Sequence, residues 1–177
     1  MTASQLIDQL REELPDSSAS DRQTWAIRII TGSPPVRELL PLLQAERTVA
    51  IRCVWLIGDI VEISPGTVKA ILVELFNRRH EIKIPHFERS LSKFLLYCGI
   101  PVSITGEATN CLFEWLQAKD HLVTTKRFAM LALANLCKRH PDLLPELKLV
   151  LTTIQTWHSR AFSKQVERLL EKLEAQA

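Results

Sequence analysis

The chain has 177 residues, of which 46% are hydrophobic and 24% charged, with a formal net charge of +2. That length suits one domain, expected over residues 1–177, with enough apolar material for a continuous core, and the composition excludes intrinsic disorder. Residues 47–139 hold 13 basic and 8 acidic side chains, a modest excess that falls short of the dense basic runs of a dedicated nucleic-acid binder.

Only 5 Gly and a single Tyr stand against many Leu and Ile. This bias favours helices, because Leu loses little rotamer freedom in a helix while Gly costs backbone entropy. The spacing predicts ten of them. Thr2-xx-Gln5 resembles a capping box, and Leu6, Ile7, Leu10 and Leu14 form one apolar face, ended by Pro15 and Asp16-Ser17-Ser18. Ser20-xx-Gln23 predicts the next start, with Trp25, Ile27, Ile29 and Ile30 supplying the inward residues. Gly32-Ser33-Pro34 is a stop and restart: Gly tolerates a left-handed cap, Ser accepts a backbone donor, and Pro fits the first helical position.

A short third helix is predicted around Pro35 to Gln44, and a fourth from Glu46 to Ile63. Ser64-Pro65 opens a fifth, running to Arg79. Pro85 opens a sixth, which ends at Cys98-Gly99. A seventh follows residues 101–106 and ends near Gln117. The eighth covers Val123 to His140, the ninth starts at Pro141-Asp142, and the tenth covers Ser159 to Ala175. The tenth has an apolar face of Val166, Leu169, Leu170 and Leu173 and a charged opposite face, as the end of a repeat array needs. No strand is expected, since the Val/Ile runs follow the helical period and lack turn pairs such as Asn-Gly.

A repeat overlies this pattern. Arg22, Arg52, Arg89, Arg127 and Arg160 each open an apolar helical stretch, 30, 37, 38 and 33 residues apart. Pro34, Pro65, Pro101 and Pro141 follow the first four by 12 to 14 residues. A helical repeat of 30 to 40 residues predicts an all-α fold, an α-solenoid of five antiparallel helix pairs. A basic residue at a helix start is unfavourable unless paired, so Asp21, Glu46, Glu88 and Asp120 are its expected partners.

This pattern resembles the HEAT and armadillo repeat proteins, in which an outer and an inner helix make each unit. The stretch from His86 to Leu173 is more specific. Arg89-Ser-Leu-Ser-Lys-Phe-Leu-Leu, Cys111-Leu-Phe-Glu-Trp-Leu116 and Phe128-Ala-Met-Leu-Ala-Leu-Ala-Asn-Leu-Cys-Lys-Arg-His-Pro141 resemble a group of small bacterial HEAT-like proteins often labelled adenylosuccinate lyase. The lyase label finds no support in the residues. True adenylosuccinate lyases are much longer and carry a Gly-Ser-Ser-x-Met-Pro-x-Lys-x-Asn loop, of which Thr31-Gly32-Ser33-Pro34-Pro35 shares only Gly-Ser. The resemblance therefore implies a fold, with the function of the group unassigned.

No chemistry-bearing motif accompanies the repeat. Cys53, Cys98, Cys111 and Cys137 lack metal-ligand spacing and lie in apolar helices, which suits reduced thiols of a cytoplasmic protein. His80, His86, His121, His140 and His158 fall mostly at helix ends, with no recurrent metal spacing. There is no Gly-rich phosphate loop and no nucleophile elbow. No signal peptide is evident at the N-terminus, and the longest apolar run, Thr48 to Val61, is broken by Arg52 and Asp59 and is too short for a membrane span.

One constellation stands out. Arg52, Trp55 and Asp59 are spaced 3 and 4 apart, on one helix face. HEAT-like DNA glycosylases of the alkylpurine type place a Trp and an Asp one turn apart in a basic groove, and Trp55 and Asp59 are similar in spacing. The bland alternative is a core Trp55 and a locally paired Asp59. The expectation is a non-enzymatic scaffold that binds a protein or peptide on its concave face, with Arg52, Trp55, Asp59, Arg89 and Arg127 as binding candidates. No catalytic residue, cofactor, metal or membrane is expected. The alternative is nucleic-acid binding, with base excision, through the same residues.

Overall fold

A computed structural model of the chain describes residues 2–175. Among the described residues, nine α-helices and a nine-residue 3-10 helix account for the ten predicted elements, and there is no strand. The contacts divide the chain into two compact units, Met1–Cys98 and Gly99–Ala177.

In the first unit α1 (Ala3–Glu13) begins at the Thr2 box: Gln5 N–H donates to Thr2 Oγ1 at 3.2 Å and Thr2 N–H donates to Gln5 Oε1 at 2.8 Å. α2 (Ala19–Ile30) is capped by Ser18, two residues before the predicted Ser20. Asp21 is the reason. Its carboxylate accepts the Ser18 N–H at 2.8 Å and the Ser18 hydroxyl at 2.7 Å, charge-assisted bonds that a Gln23 amide cannot match. Those two bonds also hold the Asp21 carboxyl below its ordinary value. Gly32 ends the helix at φ +89°, the left-handed conformation predicted for it.

The short third helix is a 3-10 segment, Val36–Gln44, with Pro41 inside it. Proline has no N–H for an α-helical bond, and the tighter winding accommodates that loss. Leu39, Leu40, Leu42 and Leu43 are buried there. α3 (Arg47–Ile63) has nine buried residues and is enclosed on most sides. α4 (Pro65–Asn77) starts with Pro65 in its first turn, as predicted. α5 (Phe87–Cys98) buries Phe87, Leu91, Phe94 and Leu95.

Two rows result. α2 packs on α3 and α3 on α5, while α1 packs on the 3-10 segment and that segment on α4. Trp25 Nε1 ties α2 to α1 by donating to Glu13 Oε2 at 2.8 Å. Three polar bonds in this unit share one sequence offset. Arg22 to Asp59, Arg37 to Glu74 and Gln44 to Glu81 are each 37 residues apart.

In the second unit Gly99 turns the chain at φ +73° and a 3-10 turn, Val102–Ile104, leads into α6 (Thr105–Gln117). α7 (Val123–Cys137) packs on α6, α8 (Leu144–Ile154) on α7, and α9 (Arg160–Glu174) on α8. Ser159 caps α9, accepting the Phe162 N–H at 3.4 Å. Each fully buried Leu or Ile contributes about 1.5–3 kcal/mol, so these leucine-lined seams carry the folding free energy.

Candidate functional site

Beyond Ile51, the residues of α3 that reach solvent are Arg52, Trp55, Asp59, Glu62 and Ile63. Steps of three and four place them on a single stripe, the side of α3 that its neighbours leave uncovered. Trp55 is 46% exposed, so it is not the core residue of the bland alternative. Two guanidinium carbons lie near its ring centroid, Arg52 at 4.6 Å from the turn before and Arg22 at 5.4 Å from α2. Such contacts contribute about 0.5–1 kcal/mol each at exposed sites and fix the indole in place.

The arginines divide into two classes. Arg22 pairs with Asp59 on the next helix, Nε to Oδ2 at 3.0 Å, and not with the neighbouring Asp21, which is occupied by the Ser18 cap. Arg52, Arg89, Arg127 and Arg160 have no carboxylate partner among the described residues, so of the arginine series only Arg22 is ion-paired, and with Asp59 rather than an acid in the preceding turn. Asp120 instead faces Lys126, where burial lowers the ammonium's pKa and the carboxylate only opposes that shift.

On the other flank of the stripe stands α5. Lys93 Nζ meets Glu62 Oε1 at 2.6 Å and donates to the Gly58 carbonyl at 3.2 Å. Cys98 Sγ donates to the Pro65 carbonyl at 3.3 Å. The Lys93 ties to Gly58 and Glu62, 35 and 31 residues back, set the register of α5 on α3. Arg89, one turn before Lys93 and exposed, is therefore level with Trp55. Tyr97, 44% exposed, is level with Glu62 and Ile63. Arg52, Trp55, Asp59 and Arg89 thus belong to one face of the first unit. Arg127 is exposed on α7 of the second unit.

Sequence reasoning missed Lys126. Its side chain is fully buried at the start of α7, and its Nζ donates to the carbonyls of Leu116, at 3.3 Å, and Ala118. The ammonium thus caps the C-terminal end of α6, where carbonyls lack helical partners. Burial pushes its pKa down, against the pull of Asp120. Trp157 lies over it, 5.3 Å from Nζ to the ring centroid, with Lys119 at 5.4 Å. The signal was present: Lys126 shares the helical spacing of Met130, Leu133 and Cys137, all buried.

A cleft of about 690 Å³ opens in the first unit between Leu43, Gln44, Arg47, Glu81, Lys83 and Pro85, without a convergent set of acids, bases or nucleophiles. Among the described residues no group of three or more His, Cys, Asp or Glu is placed to hold a metal. No helix among them is long and apolar enough to cross a membrane. Comparison with protein-family models, with curated proteins and with solved structures finds no match to the chain.

Proposed function

We propose that this protein is a non-enzymatic interaction scaffold, an α-solenoid of the HEAT or armadillo kind that binds a protein or peptide on the α2–α3–α5 face. The observation that carries this reading is Trp55. A tryptophan 46% exposed on a helix otherwise enclosed by its neighbours, and held by two guanidiniums, is an anchor residue awaiting a partner. The solenoid reading is supported by the constant 37-residue offset of the polar ties Arg22–Asp59, Arg37–Glu74 and Gln44–Glu81, as stacked repeats require. The test is quantitative affinity capture from an extract on immobilised wild-type and Trp55→Ala chains. A partner retained by the wild type and lost by the variant is expected; identical retention on both would remove this face from the function.

A second reading is nucleic-acid binding with base excision. Trp55 and Asp59 one turn apart beside the unpaired Arg52 favour it. Asp59 is bound to Arg22, however, so its carboxylate already has a cation to neutralise. Duplex affinity at low salt, its salt dependence, and base release by Asp59→Asn separate this reading from the first.

A further inference from the structure

We propose that the occupant of the α2–α3–α5 face is an acidic peptide segment, whose apolar or aromatic side chain docks on Trp55 while its carboxylates pair with Arg52 and Arg89. This rests on the scaffold reading and adds the chemistry of the partner.

The charges on the face decide it. Arg22 and Asp59 neutralise each other at 3.0 Å, and so do Lys93 and Glu62 at 2.6 Å. Arg52 and Arg89 are left: Arg52 over the indole on its own helix, Arg89 exposed on α5 at the level the register gives it. Neither has a carboxylate partner among the described residues. Two guanidiniums flanking an apolar surface are complementary to a segment with carboxylates flanking an apolar side chain. Because both Arg22 and Arg52 hold the ring, little side-chain freedom is lost when a partner settles on it. Ile63 lies eight residues on, about 12 Å along the helix, so a second exposed apolar side chain is within reach of a peptide of several residues.

The same charges argue against a polyanion. Nucleic-acid affinity grows with the number of phosphates neutralised. This face offers two unpaired cations, Arg52 and Arg89, too few to follow a phosphate backbone. A peptide places its few charges where the guanidiniums are.

The probe is a random 12-residue peptide library displayed on phage and selected on the full chain at physiological salt. Enriched peptides are expected to carry Asp or Glu on both sides of an aromatic or large aliphatic residue. A dye-labelled winner, followed by fluorescence anisotropy, should bind at least about tenfold more weakly to Trp55→Ala and to the Arg52→Ala/Arg89→Ala pair. Replacing the peptide's acids by amides should weaken it equally, and Arg127→Ala should not. Trp55, Arg52 and Arg89 are surface residues, so unchanged helical circular dichroism of the variants separates lost binding from lost folding. Peptides enriched without carboxylates yet dependent on Trp55 would overturn the acidic-partner proposal and leave the scaffold reading standing. Failure to enrich any peptide, together with Trp55-dependent binding of a labelled DNA duplex that weakens steeply with salt, would overturn both.

Discussion

His158 carries a displaced pKa in the second unit. It stands at the turn before α9, its ring edge-on to Phe162 with centroids 5.1 Å apart, and its Nε2 is buried without a hydrogen-bond partner among the described residues. Burial, reinforced by the Lys126 ammonium, lowers its pKa from the ordinary 6.5. The unfolded chain therefore takes up this proton before the folded one does, and stability falls as pH drops through 6.5 until the folded value is passed. Heating the wild type and His158→Gln at pH 7.5 and pH 5.5 checks this. The loss of melting temperature on acidification should be smaller in the variant, because the other four histidines contribute equally to both. Equal losses would assign the acid sensitivity to those other groups. Lys126 belongs to the same cluster and shows why residue-scale reading is uneven. Its position in the apolar period of α7 was legible, whereas its use as a cap for α6 depends on where that helix ends. Trp55 is the opposite case: its place beside Arg52 and Asp59 on one face was legible, but its exposure was not, because α3 is apolar almost all round and its neighbours decide which side stays open.

At the level of the helix, most boundaries were legible, because they rest on local chemistry. Thr2 with Gln5, Gly32, Pro65, Gly99 and Ser159 each act where the pattern put them. The exceptions have local causes too. The Asp21 carboxylate outcompetes the Ser20 and Gln23 pair for the start of α2, and Pro41 turns the third helix into a 3-10 segment. The partner of Arg22 was not legible, since Asp59 is 37 residues away and only the packing of α2 on α3 brings it near. Within α3, Gly58 is the weak point. Its conformation is ordinary helix, and a Cβ there would meet only Lys93 Nζ, at 3.6 Å, an ordinary contact with the mobile end of a side chain. Gly58→Ala should therefore stabilise the protein by about 0.5–1 kcal/mol through the helix propensity gained. Chemical denaturation measures it. A loss of stability would mean that the Lys93 bond to the Gly58 carbonyl does not survive the added methyl.

Across the molecule, each compact unit buries its own reporter thiol. Cys53 is fully enclosed on α3 in the first, its Sγ 3.6 Å from the Leu39 carbonyl, and Cys137 is buried on α7 in the second. Burial raises the pKa of both, and that of Cys98 to about 11. The thiolate is the reactive form. At pH 8 a thiol of pKa about 11 is ionised to roughly one part in a thousand, against roughly a tenth for an ordinary cysteine of pKa 9. Burial blocks access as well, so modification has to wait for the surrounding helices to open. In chains retaining only Cys53 or only Cys137, labelling by a disulfide reagent under native conditions should be at least about a hundredfold slower than in denaturant. Its dependence on denaturant then reports the opening of each unit separately. Equal slopes for the two thiols would mean that the units unfold as one cooperative structure, and a shallower slope for Cys137 would mean that the second opens first. Fast labelling of Cys53 in the native state would contradict the enclosed packing of α3, on which the placement of Arg52, Trp55 and Asp59 along one open stripe depends.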